Sequence, residues 1–504
     1  MRKMLPIFCL IMILSFSFAF AQTNEWGTEY AVYDDGINGT GDQTSSVAAI
    51  GPNRFVALVT LDPPDPPFDN MFDPPGCYLV GYWDADSITG RVPSPINGQQ
   101  TFPEYSQDGQ FTIWEYVLDQ VTLDGAWQIA ANEDSGFVYV ANNDELHNIL
   151  VFKLTADGVE ATPYRMETGS ENIFAIEVDT NGYVYVVDYE GTDVKTDEVK
   201  VFAGIGAQNT TWGDFNGHND SPVATIDLPP GTYCGVTVSG DGTALYVSLY
   251  DERRILRYDG DPVSGYTLND DFSFTLAEDD TVVVEDPLLP TIFPTVLGLA
   301  YMDDPPLVYA VADTLFGLGV NGGYSYGRIY VLDPKWGIVN DTIDIAAWNF
   351  QITGAYNTGS ENGRAGGFTS VVDVDVESSE NAVYSQTYYG WAVEKWIFDG
   401  DLNDIVSSVE KISTHTPAGF ELHQNYPNPF NPNTTIEFEL NRSDFVLLEI
   451  YNALGQRVST LLSGSMTPGI YTVEFDASKL PSGIYFYRLT AGDLQSVRKM
   501  VLAK

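Results

Sequence analysis

The feature that most constrains the fold of this 504-residue chain is a strand pair that recurs six times between residues 55 and 399. Each unit holds an apolar run rich in β-branched and aromatic residues, a polar stretch, and a second run closing on an aromatic, a leucine or an aspartate. Phe137-Val138-Tyr139-Val140-Ala141-Asn142 leads to residues 149–154, Tyr183-Val184-Tyr185-Val186-Val187-Asp188 to 198–202, and residues 244–250 to 254–259. Residues 307–313 lead to 328–333, 381–386 to 393–399 and, earlier, 55–61 to 77–84. Unit starts lie about 46 to 82 residues apart, and no long segment has the 3.6-residue period of an amphipathic helix. A single unit cannot bury its own faces, so the copies must stack on one another.

Several units carry an earlier strand, as at 173–179 and 235–239, and Asn181-Gly182 and Asp241-Gly242 supply tight turns. Such strands and turns build hairpins and antiparallel sheets. Four-stranded sheets repeated around an axis give an all-β fold, the β-propeller. Six blades are expected, with seven as the alternative and residues 110–118 as an extra strand pair. The alternation at 183–187 puts tyrosines on one sheet face and valines on the other. Both faces of a blade are covered by neighbours, so these aromatics, and most of the nine tryptophans, read as core. Trp212 and Trp348 fall in longer loops and are the tryptophans placed to meet a ligand.

Residues 62–76 hold six prolines and cannot join a ladder, because proline lacks the donor. They and residues 270–290 read as two acidic excursions, each a solvated insertion, with a part in shaping a binding face as the alternative. The hairpin turn, the Tyr-Val strand and the later Arg-Ile (Arg254-Ile255, Arg328-Ile329) together resemble NHL-type and related six-bladed propellers. Propellers of that kind include calcium-dependent lactonase-like and lyase-like enzymes with Glu, Asn and Asp near the central channel. That resemblance brings Glu177, Asp188 and Asp373 into view among many such residues, and nothing in the sequence selects a set.

Other chemistry finds little support. Gly323-Tyr324-Ser325-Tyr326-Gly327 has the G-x-S-x-G spacing of serine hydrolases, but it precedes a strand, where that mechanism needs a strand–turn–helix. The four histidines, His147, His218, His415 and His423, have no zinc spacing among themselves or with cysteine. A calcium loop is the better fit. Asp399, Asp401, Asn403 and Glu410 place oxygen ligands at positions 1, 3, 5 and 12 of an EF-hand-like loop, with Asp404 where that loop needs glycine. A second, weaker oxygen-rich loop spans Asp214 to Asp220.

The two ends of the chain set its address. Met1-Arg2-Lys3, an apolar run from Leu5 to Phe20 and Ala19-Phe20-Ala21 make a secretory signal peptide, 1–21. No second long apolar stretch follows, so the mature chain is expected to lack a transmembrane segment. Cys77 and Cys234 remain after its removal. Free thiols are expected, with a disulfide as the alternative. Formal net charge is −47, and residues 420–504 contribute 8 acids against 7 bases, so the middle carries nearly all of it. Such a surface repels phosphate backbones and argues against nucleic acid as a partner.

Residues 420–504 open on Phe420, Leu422 and the run Gln424-Asn425-Tyr426-Pro427-Asn428-Pro429-Phe430-Asn431-Pro432. Short alternating strands follow, with turn glycines Gly455 and Gly483 and a last strand carrying Lys499. The segment resembles the type A C-terminal sorting domain of the type IX secretion system of Bacteroidetes and related bacteria. The resemblance implies a small β-sandwich, export by the type IX machinery across the outer membrane, and cleavage in the linker.

The organisation is thus a signal peptide (1–21), a β-propeller (22–400), a linker (401–419) and a sorting domain (420–504). The expected function is a secreted or cell-surface propeller that binds an extracellular glycan or protein without catalysis. The alternatives are a propeller hydrolase or lyase on polysaccharide or lactone, with Ca2+ as cofactor, and a structural surface or adhesion component.

Overall fold

A computed structural model describes residues 26–33, 43–52, 54–60, 77–82, 110–114, 127–132, 136–144, 147–155, 159–166, 172–189, 196–205, 221–276, 293–313, 326–347, 371–387, 392–406, 409–413 and 415–504. Among these, six antiparallel sheets of at least four strands precede the C-terminal domain. Blade 1 runs Gln43–Ala49, Phe55–Thr60, Cys77–Tyr82, Gln110–Trp114. Blade 2 runs Gln128–Asn132, Phe137–Asp144, His147–Leu154, Val159–Met166, and blade 3 Asn172–Val178, Tyr183–Tyr189, Thr196–Ala203, Ala224–Gly231. Blade 4 runs Tyr233–Val238, Ala244–Leu249, Arg254–Asp261, Gly265–Leu268, with Phe274–Thr275 added on its third strand. Blade 5 runs Thr295–Asp303, Pro306–Asp313, Arg328–Leu332, Val339–Asp344. The sixth sheet takes Val371–Glu377, Ala382–Thr387 and Ala392–Phe398 and completes itself with Trp26–Tyr33 from the start of the chain. Each inner strand touches the next, and that of blade 6 touches that of blade 1, so the sheets form a closed ring, a β-propeller. Residues 110–114, read as part of an extra strand pair, are the outer strand of blade 1.

The repeated Tyr-Val strand is the second strand of each blade, and its tyrosine is the ring's fastener. Tyr139, Tyr185, Tyr246, Tyr309 and Tyr384 are fully buried. A buried tyrosine ring brings large apolar area but needs a partner for its hydroxyl, and these side chains find partners or ring contacts in the following blade. The Tyr139 hydroxyl accepts from Ile205 N–H (3.2 Å) beyond the third strand of blade 3, and that of Tyr185 lies 2.9 Å from that of Tyr266 in blade 4. Tyr246 donates to the Pro334 carbonyl (2.7 Å) in blade 5. Tyr309 packs edge-on against Trp26 of blade 6 (6.3 Å between ring centres), and Tyr384 lies 5.4 Å from Phe55 of blade 1. Blade 1 has Ala57 at the equivalent position. The turn glycines do what their sequence promised: Gly182 and Gly242 have φ of +83° and +77°, and their N–H groups donate to the Asp179 and Ser239 carbonyls.

The C-terminal domain is a sandwich of two four-stranded sheets. One orders Val409–Ser413, Gly469–Asp476, Asn433–Leu440 and Glu421–Leu422. The other orders Arg457–Met466, Asp444–Asn452, Gly483–Ala491 and Leu494–Leu502. Alternating residues such as Ile436, Phe438, Leu448, Ile450, Val473, Tyr487 and Leu489 meet between them. The stretch read as linker therefore holds a 3-10 turn (Leu402–Asp404) and an edge strand of this sandwich, Val409–Ser413.

Candidate functional site

Five of the six inner strands carry a β-bulge near their first residues, between Thr44 and Ser46, Ile173 and Ala175, Tyr233 and Gly235, Val296 and Leu299, and Val371 and Asp373. A bulge bends its strand and re-aims the side chains beside it. Here the bulges ring one mouth of the axial channel. By strand direction the same face launches five of the longer connections, residues 61–76, 115–126, 277–292, 314–325 and 348–370. Both acidic excursions of the sequence leave from this face.

Within the channel the inner strands of all six blades supply the lining, including Val47, Gln128, Glu177, Val236, Leu299, Asp373 and Asp375. The open space is about 10 Å³, the room of about one water molecule. The Asp373 carboxylate accepts from Ser46 Oγ (2.6 Å), Val47 N–H (3.2 Å) and Gln128 Nε2 (3.2 Å), so blade 6 is bonded to blades 1 and 2. Gln128 Oε1 accepts from Ile176 N–H (2.8 Å) of blade 3, and Glu177 accepts from Thr237 Oγ1 (3.2 Å) of blade 4. Asp375 accepts from Ala49 N–H (2.7 Å). A Cβ on Gly298 of blade 5 would lie 2.7 Å from Asp373 Oδ1, so only glycine lets that strand come this close.

Burial in this water-poor channel raises all three carboxyls. Asp373 is pushed up to about 6 and Asp375 to about 7, and Glu177 is raised well above the usual carboxylate range, with Asp375 and Asp373 adding repulsion. The resemblance to six-bladed propellers had brought Glu177 and Asp373 into view among many acids, without selecting a set. Asp375 and Gln128 were missed, and Asp188 lies on the second strand of blade 3, opposite Ile173. The signal for Asp375 was present. Val371–Glu377 alternates valine with Asp373, Asp375 and Glu377, an acidic face on a strand whose surroundings are apolar.

On the rim between blades 3 and 4, a groove of about 460 Å³ is lined by Thr225, Asp227, Pro229, Tyr258, Tyr266 and Leu268. The hydroxyls of Tyr258 and Tyr266 donate to the carbonyls of Asp227 and Gly242.

The proposed calcium ligands do not converge. Asp401 caps the 3-10 turn and accepts from both Asn403 N–H (2.9 Å) and Asn403 Nδ2 (2.8 Å), while Glu410 is exposed on the edge strand and Asp399 sits in the bend before it. Among the described residues, ligand atoms of three His, Cys, Asp or Glu side chains come together at Glu421, His423 and Glu439, on the sorting domain. There His423 Nε2 lies 3.1 Å from Glu439 Oε1 and 3.7 Å from Glu437 Oε1.

The sorting motif is built on two buried anchors. Asn425 donates its N–H to the Tyr487 hydroxyl (2.8 Å) and its Nδ2 to the Pro427 carbonyl (3.1 Å) and Thr434 Oγ1 (2.8 Å). Phe430 is buried, donates to the Val501 carbonyl (2.9 Å) and accepts from Ala503 N–H (3.0 Å). Gln424 Nε2 and Asn428 Nδ2 both donate to the Lys499 carbonyl, and Asn428 Oδ1 accepts from Val501 N–H (2.9 Å). The motif thus braces the last strand, and Tyr426 (81 % exposed), Pro427, Pro429 and Asn431 stand outward while Pro432 is half-buried. Gly455 takes φ +78° in the turn after Asn452, and Gly483 opens a strand opposite Leu502.

Cys234 is a buried free thiol. The signal peptide, the Cys77 side chain, Trp212, Trp348, Ser325, residues 62–76 and residues 214–220 lie outside the described residues. No helix among the described residues is long and apolar enough to cross a membrane.

Residues 424–503 match the family model described as a secretion system C-terminal sorting domain. The C-terminal domain is a type IX sorting domain, and the protein is exported through the periplasm to the cell surface or the extracellular space. No curated protein matches the chain. Among solved structures it is similar to PorZ, a surface component of the type IX secretion system of Porphyromonas gingivalis (11% identity, TM-score 0.35, 91% of this chain and 59% of that one). It is also similar to an auxiliary nutrient binding protein of Bacteroides thetaiotaomicron (11%, 0.41, 74% and 76%) and a gluconolactonase of Xanthomonas campestris (10%, 0.36, 74% and 89%). The chain thus spans 59% of the length of PorZ, and nothing about activity follows from likenesses of this size.

Proposed function

We propose that this chain, made with the leader 1–21, is an exported β-propeller whose body binds an extracellular glycan or protein without turning it over. The observation behind this reading is the narrow axial channel. Its free space of about 10 Å³ admits no substrate, and its carboxylates are spent on hydrogen bonds that join the blades. Binding then falls to the face that launches the long acidic connections and to the groove beside Tyr258 and Tyr266. The sorting domain engages the type IX machinery, for which the outward Tyr426-Pro427 ridge is the natural contact.

The channel carboxyls Glu177, Asp373 and Asp375, of which Asp373 is buried and the other two half-buried, favour a second reading, a hydrolase or lyase that opens this mouth and uses Ca2+ there. Carboxylates are the ligands calcium prefers, and these three have no basic side chain among the causes of their shifts.

One experiment separates the two. The mature chain is passed over a panel of immobilised polysaccharides and surface proteins, with and without calcium, while product formation is followed. Retention without turnover supports the binding module. Turnover that is lost in Asp373→Asn establishes the second reading and sinks the first.

A further inference from the structure

We propose that the sorting domain is a docked subunit of the propeller body, and that it stays bound when the chain is cut between His415 and Gly419. Val409–Ser413 precedes that segment, so on the propeller side of a cut it would still end as a strand within the sorting-domain sheet. It pairs antiparallel with Gly469–Asp476 from Val409↔Val473 to Ser413↔Ile470. Residues 415, 416 and 418 are exposed and belong to no strand, so scission there breaks no ladder.

A second seam fixes the same two bodies. Trp336, in the turn after the third strand of blade 5, donates Nε1–H to the Val409 carbonyl (3.0 Å) and meets Tyr471 edge-on (6.4 Å). Trp336 and Ile338 are buried in the sorting-domain core and not in a propeller cluster. Gly464 of Arg457–Met466 lies so close to Ile338 that a Cβ would sit 3.1 Å from its Cα. Lys411, its side chain almost fully buried, bonds Asp271 of blade 4 and Thr467 Oγ1 (2.9 Å) of the sorting domain. A buried ammonium needs such partners on every side. It therefore ties the edge strand, the propeller and the sandwich at one point. The partner that this apolar seam fits is the chain's own propeller, and release of the tail requires withdrawal of the strand as well as a cut.

The test uses the full mature chain with a site-specific protease sequence inserted between Thr416 and Gly419. After complete cleavage at micromolar concentration, size-exclusion chromatography should return both fragments in one peak. Two separate peaks overturn the proposal. Trp336→Ala and Gly464→Leu approach the seam from opposite sides. Each should leave the uncut chain with a cooperative thermal transition and raise the fragment dissociation rate at least tenfold after cleavage. If both cut variants co-elute as the parent does, with unchanged dissociation rates, the seam is not what holds the fragments and the proposal fails.

Discussion

Replacing Glu394 by glutamine should make the propeller more stable in alkali and less stable in acid. Glu394 lies on the third strand of the closing blade, between Ser385 and Ala31, and is 1% exposed. Among the described residues its side chain accepts from Ser385 Oγ at 3.4 Å, whose oxygen also accepts from Trp396 Nε1 (2.9 Å). Burial drives the carboxyl up from 4.5 to about 8. Because the folded value lies above the unfolded one, the native protein keeps a proton that the unfolded chain sheds. Stability is complete below about pH 4.5 and is lost as pH rises through about 8. The shift of about 3.5 units corresponds to about 5 kcal/mol by pH 9. Glutamine removes this term but buries an amide donor that costs ~1–3 kcal/mol where it finds no acceptor. The variant should then gain ~2–4 kcal/mol at pH 9 and lose ~1–2 kcal/mol at pH 5, a change of sign. Urea unfolding followed by tryptophan fluorescence at the two pH values reads it. An effect of the same sign and size at both would show that Glu394 is not held neutral by burial, and would refute the reasoning.

Three further outcomes follow from the same geometry. Trp26→Ala removes the ring that meets Tyr309 and Phe398 and donates to Asp341 Oδ2 (3.0 Å), and should lower propeller stability by ~3–5 kcal/mol in the same unfolding assay. Asn425→Ala removes the two Nδ2 bonds to the Pro427 carbonyl and Thr434 Oγ1, and should cost the sorting domain ~1–2 kcal/mol in calorimetry. On the second reading, millimolar calcium should raise the unfolding midpoint at pH 8, where Asp373 and Asp375 are ionised, and not at pH 5, below both values of about 6 and 7. No shift at pH 8 removes the metal from that reading.

The parts of this fold that were legible in the sequence are those written locally. The Tyr-Val strands and the Asn181-Gly182 and Asp241-Gly242 turns lie within about a dozen residues of the inner strands they join, and the sorting motif is one contiguous run, although it pairs with the last strand. Ring closure is not local. Trp26–Tyr33 finds its partner in Ala392–Phe398 across almost the whole propeller, and no periodicity in eight residues encodes a pairing at that distance. The same reason hid the strand at Val409–Ser413. Its composition reads as polar linker because half of it faces solvent, and its other half is buried only by Trp336 and the sandwich. Candidate chemistry failed the other way. The loop from Asp399 to Glu410 had the right oxygens at the right intervals, but the exposed Asp401 caps Leu402–Asp404, as short acidic side chains do where a backbone donor lies two residues on. The axial carboxylates had no motif at all. Three acids become one cluster only when separate strands converge on an axis, so what the sequence offered was the misfit of Asp373 and Asp375 in an otherwise apolar strand. In Val371–Glu377 the acids that stand where the pattern demands apolar residues mark the place where blade 6 joins blades 1 and 2, and that place is the channel.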